Sequence, residues 1–176
     1  MAGRMASWRD SGGPALAVGT AVARAVAAAG DHDRDGYEHA AAELAALPHG
    51  QAGRVLAAIV RILLEEQHPD GLDGEDVQAV LGRCVRNVAW VPVDRFETRT
   101  VVAVLVSALG VHEAGLTHDE VADRPDPDRE RAPTAEQYAW HAPLMIADLL
   151  SAARRPLRPY LDLAFTEIAR AEAMDG

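Results

Sequence analysis

The stretch 74–89 constrains the fold more than any other part of the chain. Val77, Val80, Leu81, Cys84, Val85 and Val88 recur there at i, i+3, i+4 and i+7 spacing. An α-helix turns once every 3.6 residues, so this spacing gathers the apolar side chains on one face. Such a face is stable only where another element covers it.

The same period runs along most of the chain. Val18, Val22 and Val26 lie between Pro14, which can open a helix, and Gly30, which can close one. Tyr37, Ala40, Ala41, Leu44 and Leu47 share a side of a second helix, about 36–47, which Pro48 ends. Ala52, Val55, Leu56, Ile59 and Leu63 give a third helix a broad apolar face that stops before Pro69. Segment 94–109 contains a β-branched run that also suits a buried strand. Its length, Asp94 as a cap, Gly110 as a stop and the absence of a partner strand favour helix. A short helix is expected at 118–122.

Residues 123–133 carry Pro125, Pro127 and Pro133 among Asp, Arg and Glu, and read as a linker with little to bury. Thr134 and Gln137 have the spacing of a capping box and open the next helix. Pro143 should kink that helix or mark its true start, and Pro156 should end it. A last helix is expected at 157–173. The pattern predicts an all-α, single-domain bundle of about six to eight amphipathic helices over residues 1–176. It includes an N-terminal tail, 1–13, and the flexible acidic linker 123–133.

Residues 71–77 resemble residues 115–121. In each, Asp73 or Thr117 can cap a helix, Asp76 or Glu120 stands at its third position, and Leu can staple to Val. Two uses of one capping device explain this. A degenerate helical-hairpin repeat of about 45 residues is the alternative, although solenoids normally need three or more copies.

Charge limits the partners. The 27 acidic residues outnumber 17 basic ones, for a formal charge of -10. That opposes phosphate backbones and anionic membranes, so neither nucleic acid nor membrane is an expected partner. Every basic residue is Arg, which with the many alanines suggests a bacterial coding bias. No apolar run suffices to span a bilayer. Arg4 and Arg9 precede the apolar stretch 14–23 as in a signal peptide. Asp10 and Arg24 bracket that stretch and it is rich in Ala, which favours an amphipathic helix and a cytoplasmic protein. Cys84 is the single cysteine, so no intrachain disulfide can form, and its place in an apolar stripe suits a buried thiol.

The sharpest chemical motif is Asp31-His32-Asp33-Arg34-Asp35-Gly36. It has the spacing of the first half of an EF-hand loop, with Asp31, Asp33 and Asp35 as calcium ligands and Gly36 at the sharp turn. The second half departs from that pattern. Ala42 stands where a bidentate Glu is required, Glu43 comes one residue late, and Glu38 replaces an aliphatic residue. Any calcium site here would be weak. The alternative is an acidic turn that caps the second helix.

Other motifs are short. His68-Pro69-Asp70 resembles the central tripeptide of J-domain co-chaperones over three residues, but Glu65 and Glu66 precede it where those domains are basic. Glu65 and His68 have the spacing of one di-iron ligand pair, without a second pair. Residues 115–122 resemble the opening of a helix-turn-helix, but prolines and aspartates follow where a recognition helix is needed. Arg154, Arg155 and Arg158 form the basic cluster, able to grip a phosphate or an acidic partner, or simply to compensate a helix C-terminus. Tyr138, Trp140 and His141 can line a pocket or an interface, or belong to the core.

No motif names a reaction. The expected function is a helical interaction module, binding a protein partner or itself, without catalytic activity or a required cofactor. The alternatives are a weak metal or small-ligand site at the turn 31–36, and an enzyme with an interhelical pocket.

Overall fold

Ala139, His141, Ala142, Pro143, Leu144, Met145, Ile146, Asp148, Leu149 and Leu150 are all buried, an almost unbroken run with no helical period. A helix buried on every side must sit at the centre of its bundle. That helix is α6 (Ala135–Ala153), and α1 (Pro14–Gly30), α2 (Arg34–Ala46), α3 (His49–Gln67), α4 (Gly74–Asn87) and α5 (Thr98–Ala108) all pack against it. The last helix, α7 (Arg158–Met174), packs on α3. The computed structural model describes residues 12–109 and 133–174. These residues form an all-α bundle of seven helices without a strand, plus a short 3-10 turn at Val93–Arg95.

Local chemistry sets most helix ends. Asp73 accepts from the Asp76 amide at 2.8 Å, and Asp76 accepts in return from the Asp73 amide at 3.2 Å. Thr134 and Gln137 form the same reciprocal box at the start of α6. Each box satisfies amides that have no partner inside the first turn.

Two expectations need correction. Segment 94–109 is not one helix capped by Asp94. Val93–Arg95 is a separate turn, and α5 starts at Thr98 with Glu97 before it. Pro143 does not mark the true start of α6, which begins at Ala135 and runs through it. The proline lacks the N–H that would bond the Ala139 carbonyl, and burial on all sides supports the helix across that gap. Helix α1 ends at Gly30 as expected, and the left-handed residue of the turn beyond it is His32, at φ 56°. The helix expected at 118–122, the linker up to residue 132, the second copy of the capping device and the tail up to residue 11 lie outside the described residues.

One charge sits in this core. The Asp148 side chain is 1% exposed. Arg83 Nε donates to it at 2.9 Å and Asn87 Nδ2 donates to its other oxygen. Arg83 and Asn87 are one turn apart on α4, so both reach the same carboxylate. A buried carboxylate without such donors would be strongly destabilising.

Asp148→Leu should therefore lower stability by about 3 kcal/mol, because it strands a part-buried Arg83. The double variant Arg83→Met/Asp148→Leu should recover at least half of that loss in urea denaturation. Additive losses would mean that the pair does not act as a unit.

Candidate functional site

The turn 31–36 is a tight junction between helices. At the end of α1 the Asp33 amide donates to the Ala28 carbonyl at 2.9 Å, and the His32 amide donates to Ala29 at 3.3 Å. These two bonds are a Schellman closure, with His32 as the left-handed residue. Asp33 then caps α2, its carboxylate accepting from the Gly36 amide at 3.1 Å. A Cβ at residue 36 would stand 2.1 Å from Asp33 Oδ2. Gly36 is thus accounted for by its contact with the cap. Among the described residues no three His, Cys, Asp or Glu side chains gather closely enough to hold a metal ion. Asp31, Asp33 and Asp35 do not converge on one point.

Tyr138, Trp140 and His141 make separate contacts. Tyr138 and His141, three residues apart, lie on neighbouring parts of one face of α6, and Trp140 leaves on another side. Tyr138 borders a void of about 30 Å3 between α6, α2 and α3. Trp140 stands edge-on to Tyr37, with ring centroids 5.2 Å apart, and Arg95 lies over its face at 5.4 Å. Tyr37, fully buried, donates its hydroxyl to the Trp140 carbonyl. Trp90 meets Tyr37 edge-on and stacks on His32.

His141 fastens α5 to α6. Its Nε2 accepts the Glu97 amide at 3.1 Å, and Nδ1 lies 2.7 Å from the Gln137 carbonyl. The ring is therefore neutral, with its proton on Nδ1. Burial lowers its pKa below 6.5, opposed by the Gln137 carbonyl and the Glu97 charge. Cys84 is buried as its stripe suggested. Burial, reinforced by the Asp148 charge, pushes its pKa up to about 12 against the opposing charge of Arg83. The thiol is thus unreactive at neutral pH.

The three arginines of the basic cluster do meet at a cavity. The C-terminal ends of α1 and α6 lie beside the start of α7, and a groove of about 680 Å3 opens between them. This volume lies within the roughly 300–1,000 Å3 of small-molecule sites. Its apolar lining includes Val26, Ala147, Leu150, Leu157 and Leu161. Arg154, Arg155, Arg158 and Asp31 supply charge around it.

The arginines differ in their partners. Arg155 pairs with Glu66 at 3.4 Å, and Glu66 also accepts the Tyr160 hydroxyl at 2.6 Å. Arg154 and Arg158 form no ion pair with any described residue. Arg154 is held at φ 53°, the left-handed position of a second Schellman closure, in which the Arg155 amide donates to Leu150 and the Arg154 amide to Ser151. Glycine is the ordinary residue there, because a Cβ is crowded in this conformation.

Sequence reasoning had singled out the arginines and Asp31 but not the groove, which takes residues from the ends of three helices. It also missed Asp148 and its donors. A lone acid within an apolar run, opposite Arg and Asn one turn apart, was the available signal. Comparison with family models, curated proteins and solved structures finds no match to this chain.

Two expected outcomes follow from these geometries. An unfolded imidazole takes up its proton near pH 6.5, whereas folded His141 resists it. Protonation therefore favours the unfolded chain, and stability falls as pH drops below about 6.5 until the lower folded value is passed. His141→Gln should flatten the fall in urea midpoint between pH 7 and pH 5; equal slopes would refute the assignment. Arg154→Gly should raise stability by about 1 kcal/mol by removing the left-handed Cβ. An unchanged or lower melting temperature would show that Arg154 is not strained.

Proposed function

We propose that this protein is a non-catalytic helical binding module, and that the groove between α1, α6 and α7 is its binding site. The observation that carries the reading is the meeting of an apolar lining with two arginines that have no described counter-charge. Apolar surface gives affinity, and a few placed polar groups give orientation. Among the described residues the large exposed apolar side chains Leu16, Val85, Val93, Val106, Leu163 and Met174 belong to five different elements. Self-association therefore has less support than the groove. Tyr138, Trp140 and His141 bond or pack in separate places, which gives an enzyme site on them no support.

Ligand-observed NMR against a mixed panel of small acids, bases and neutral molecules tests the reading. Acids with an apolar body should bind the full chain. The variant Ala147→Trp, which fills the groove, should release them while keeping its helical circular dichroism. A panel without binders, or binders indifferent to Ala147→Trp, would remove the groove as the site.

A further inference from the structure

The class of ligand can be narrowed, an inference that rests on the groove being the binding site. We propose that the groove takes a monocarboxylate with an apolar body, and that Arg154 and Arg158 bind its carboxylate. Four observations converge on this chemistry.

The first is the local count of charge. Arg155 is engaged by Glu66, whose second oxygen is engaged by Tyr160. Arg154 and Arg158 remain, against one carboxylate in the lining, Asp31. The C-terminal ends of α1 and α6 also border the groove, each carrying roughly half a negative charge from its helix dipole. The formal side-chain charges leave an excess of one positive charge, which those helix ends reduce, so at most one negative charge on a ligand is matched there. A phosphate monoester, at about -1.5 to -2 near neutral pH, is not.

The second is the start of α7. Phosphate sites at helix starts present several free backbone amides. Here Pro159 has no N–H, and the Tyr160 and Leu161 amides both turn back on the Leu157 carbonyl. The arginine side chains must then do the recognition. A guanidinium offers a planar fork that fits both oxygens of a carboxylate.

The third is the apolar lining. Val26, Leu150 and Leu161 are buried beneath the groove, and Leu157 and Ala147 are half-buried. Leu157 and Ala147 offer exposed apolar surface to a hydrocarbon or aromatic body, with the three buried side chains behind it. A small hydrophilic acid such as acetate leaves that surface uncovered.

The fourth is strain. Among the described residues only His32 and Arg154 hold a positive φ without being glycine. His32 is compensated by its stack on Trp90 at 5.5 Å. Arg154 has no such partner, and its place on the groove is the local feature that distinguishes it from a glycine. The Schellman closure requires the positive φ but not the side chain, and a non-glycine residue kept there at a conformational cost is characteristic of functional positions.

Calorimetric titration of the full chain with four probes of equal chain length tests the assignment: octanoate, octanol, octylamine and octyl phosphate. Octanoate should bind at least tenfold more tightly than the other three. Arg154→Gln and Arg158→Gln should each weaken octanoate about tenfold while leaving octanol unchanged. Arg154→Gly separates function from structure, because it should weaken octanoate as much as Arg154→Gln does while raising the melting temperature.

Octanol or octylamine binding as tightly as octanoate would overturn recognition of the charge. Octyl phosphate binding as tightly would overturn the carboxylate assignment. Octanoate indifferent to both arginine variants would overturn their role. Failure of octanoate, with other panel members still released by Ala147→Trp, would overturn the ligand class and leave the groove as the site. Failure of octanoate and of every panel member would remove both readings.

Discussion

Burial of α6 on every side is the constraint from which the remaining architecture follows. Apolar contact alone brings helices together without fixing how they slide or turn. The directional contacts are a small set of polar ties from outer helices to α6. Tyr37 of α2 donates to the Trp140 carbonyl, Gln67 at the end of α3 to the Leu149 carbonyl, and Arg83 and Asn87 of α4 to Asp148. Glu97, at the start of α5, donates its amide to His141. The ties end on α6 at two levels, Trp140 and His141 at one and Asp148 and Leu149 at the other, so together they restrain the register of four helices against one. Asp148 is the most demanding, because a dehydrated carboxylate must be paired.

The groove arises where this arrangement stops. Helices α1 and α6 end side by side, and both ends are closed by Schellman bonds that turn the chain sharply. After the second turn α7 starts on the α3 side and packs along α3. A space is left between two helix ends and one helix start. Its apolar lining is formed by side chains that continue the core outward, and its polar edge by the residues of the turns. The mixed character of the groove is therefore a direct result of helix termination.

Helices and their caps were legible in the sequence because both are local. A period of 3.6, a capping box at Asp73 and Asp76, and another at Thr134 and Gln137 involve residues within a turn or two of one another. The neighbours of α6 were not legible, because a run apolar on all sides signals burial but does not say which helices cover each side. The acidic turn carries two readings for a related reason. Asp33 and Gly36 match half of a calcium loop, yet the same pair is what an N-cap needs when a carboxylate closes over the helix start. Glu97 replaced Asp94 at the start of α5 because His141, 44 residues away, holds its amide. Arg154, Arg155 and Arg158 were visible as a cluster. That two of them lack a described carboxylate partner while Arg155 has Glu66 depends on α3, far away in sequence.

The charge of the whole chain acts on the same choice of ligand. At -10 the surface repels anions over the Debye length, about 10 Å in 0.1 M salt. That repulsion grows in proportion to the ligand's charge, so a dianion meets about twice the barrier of a monoanion. The local excess of positive charge in the groove is one at most and is too small to offset two negative charges. A monoanion is thus favoured both by the distant field and by the site. Raising salt weakens the long-range repulsion while leaving apolar contact and close hydrogen bonds largely intact. Discrimination against polyanions should therefore be greatest in dilute buffer, where a positively charged surface would have favoured them most.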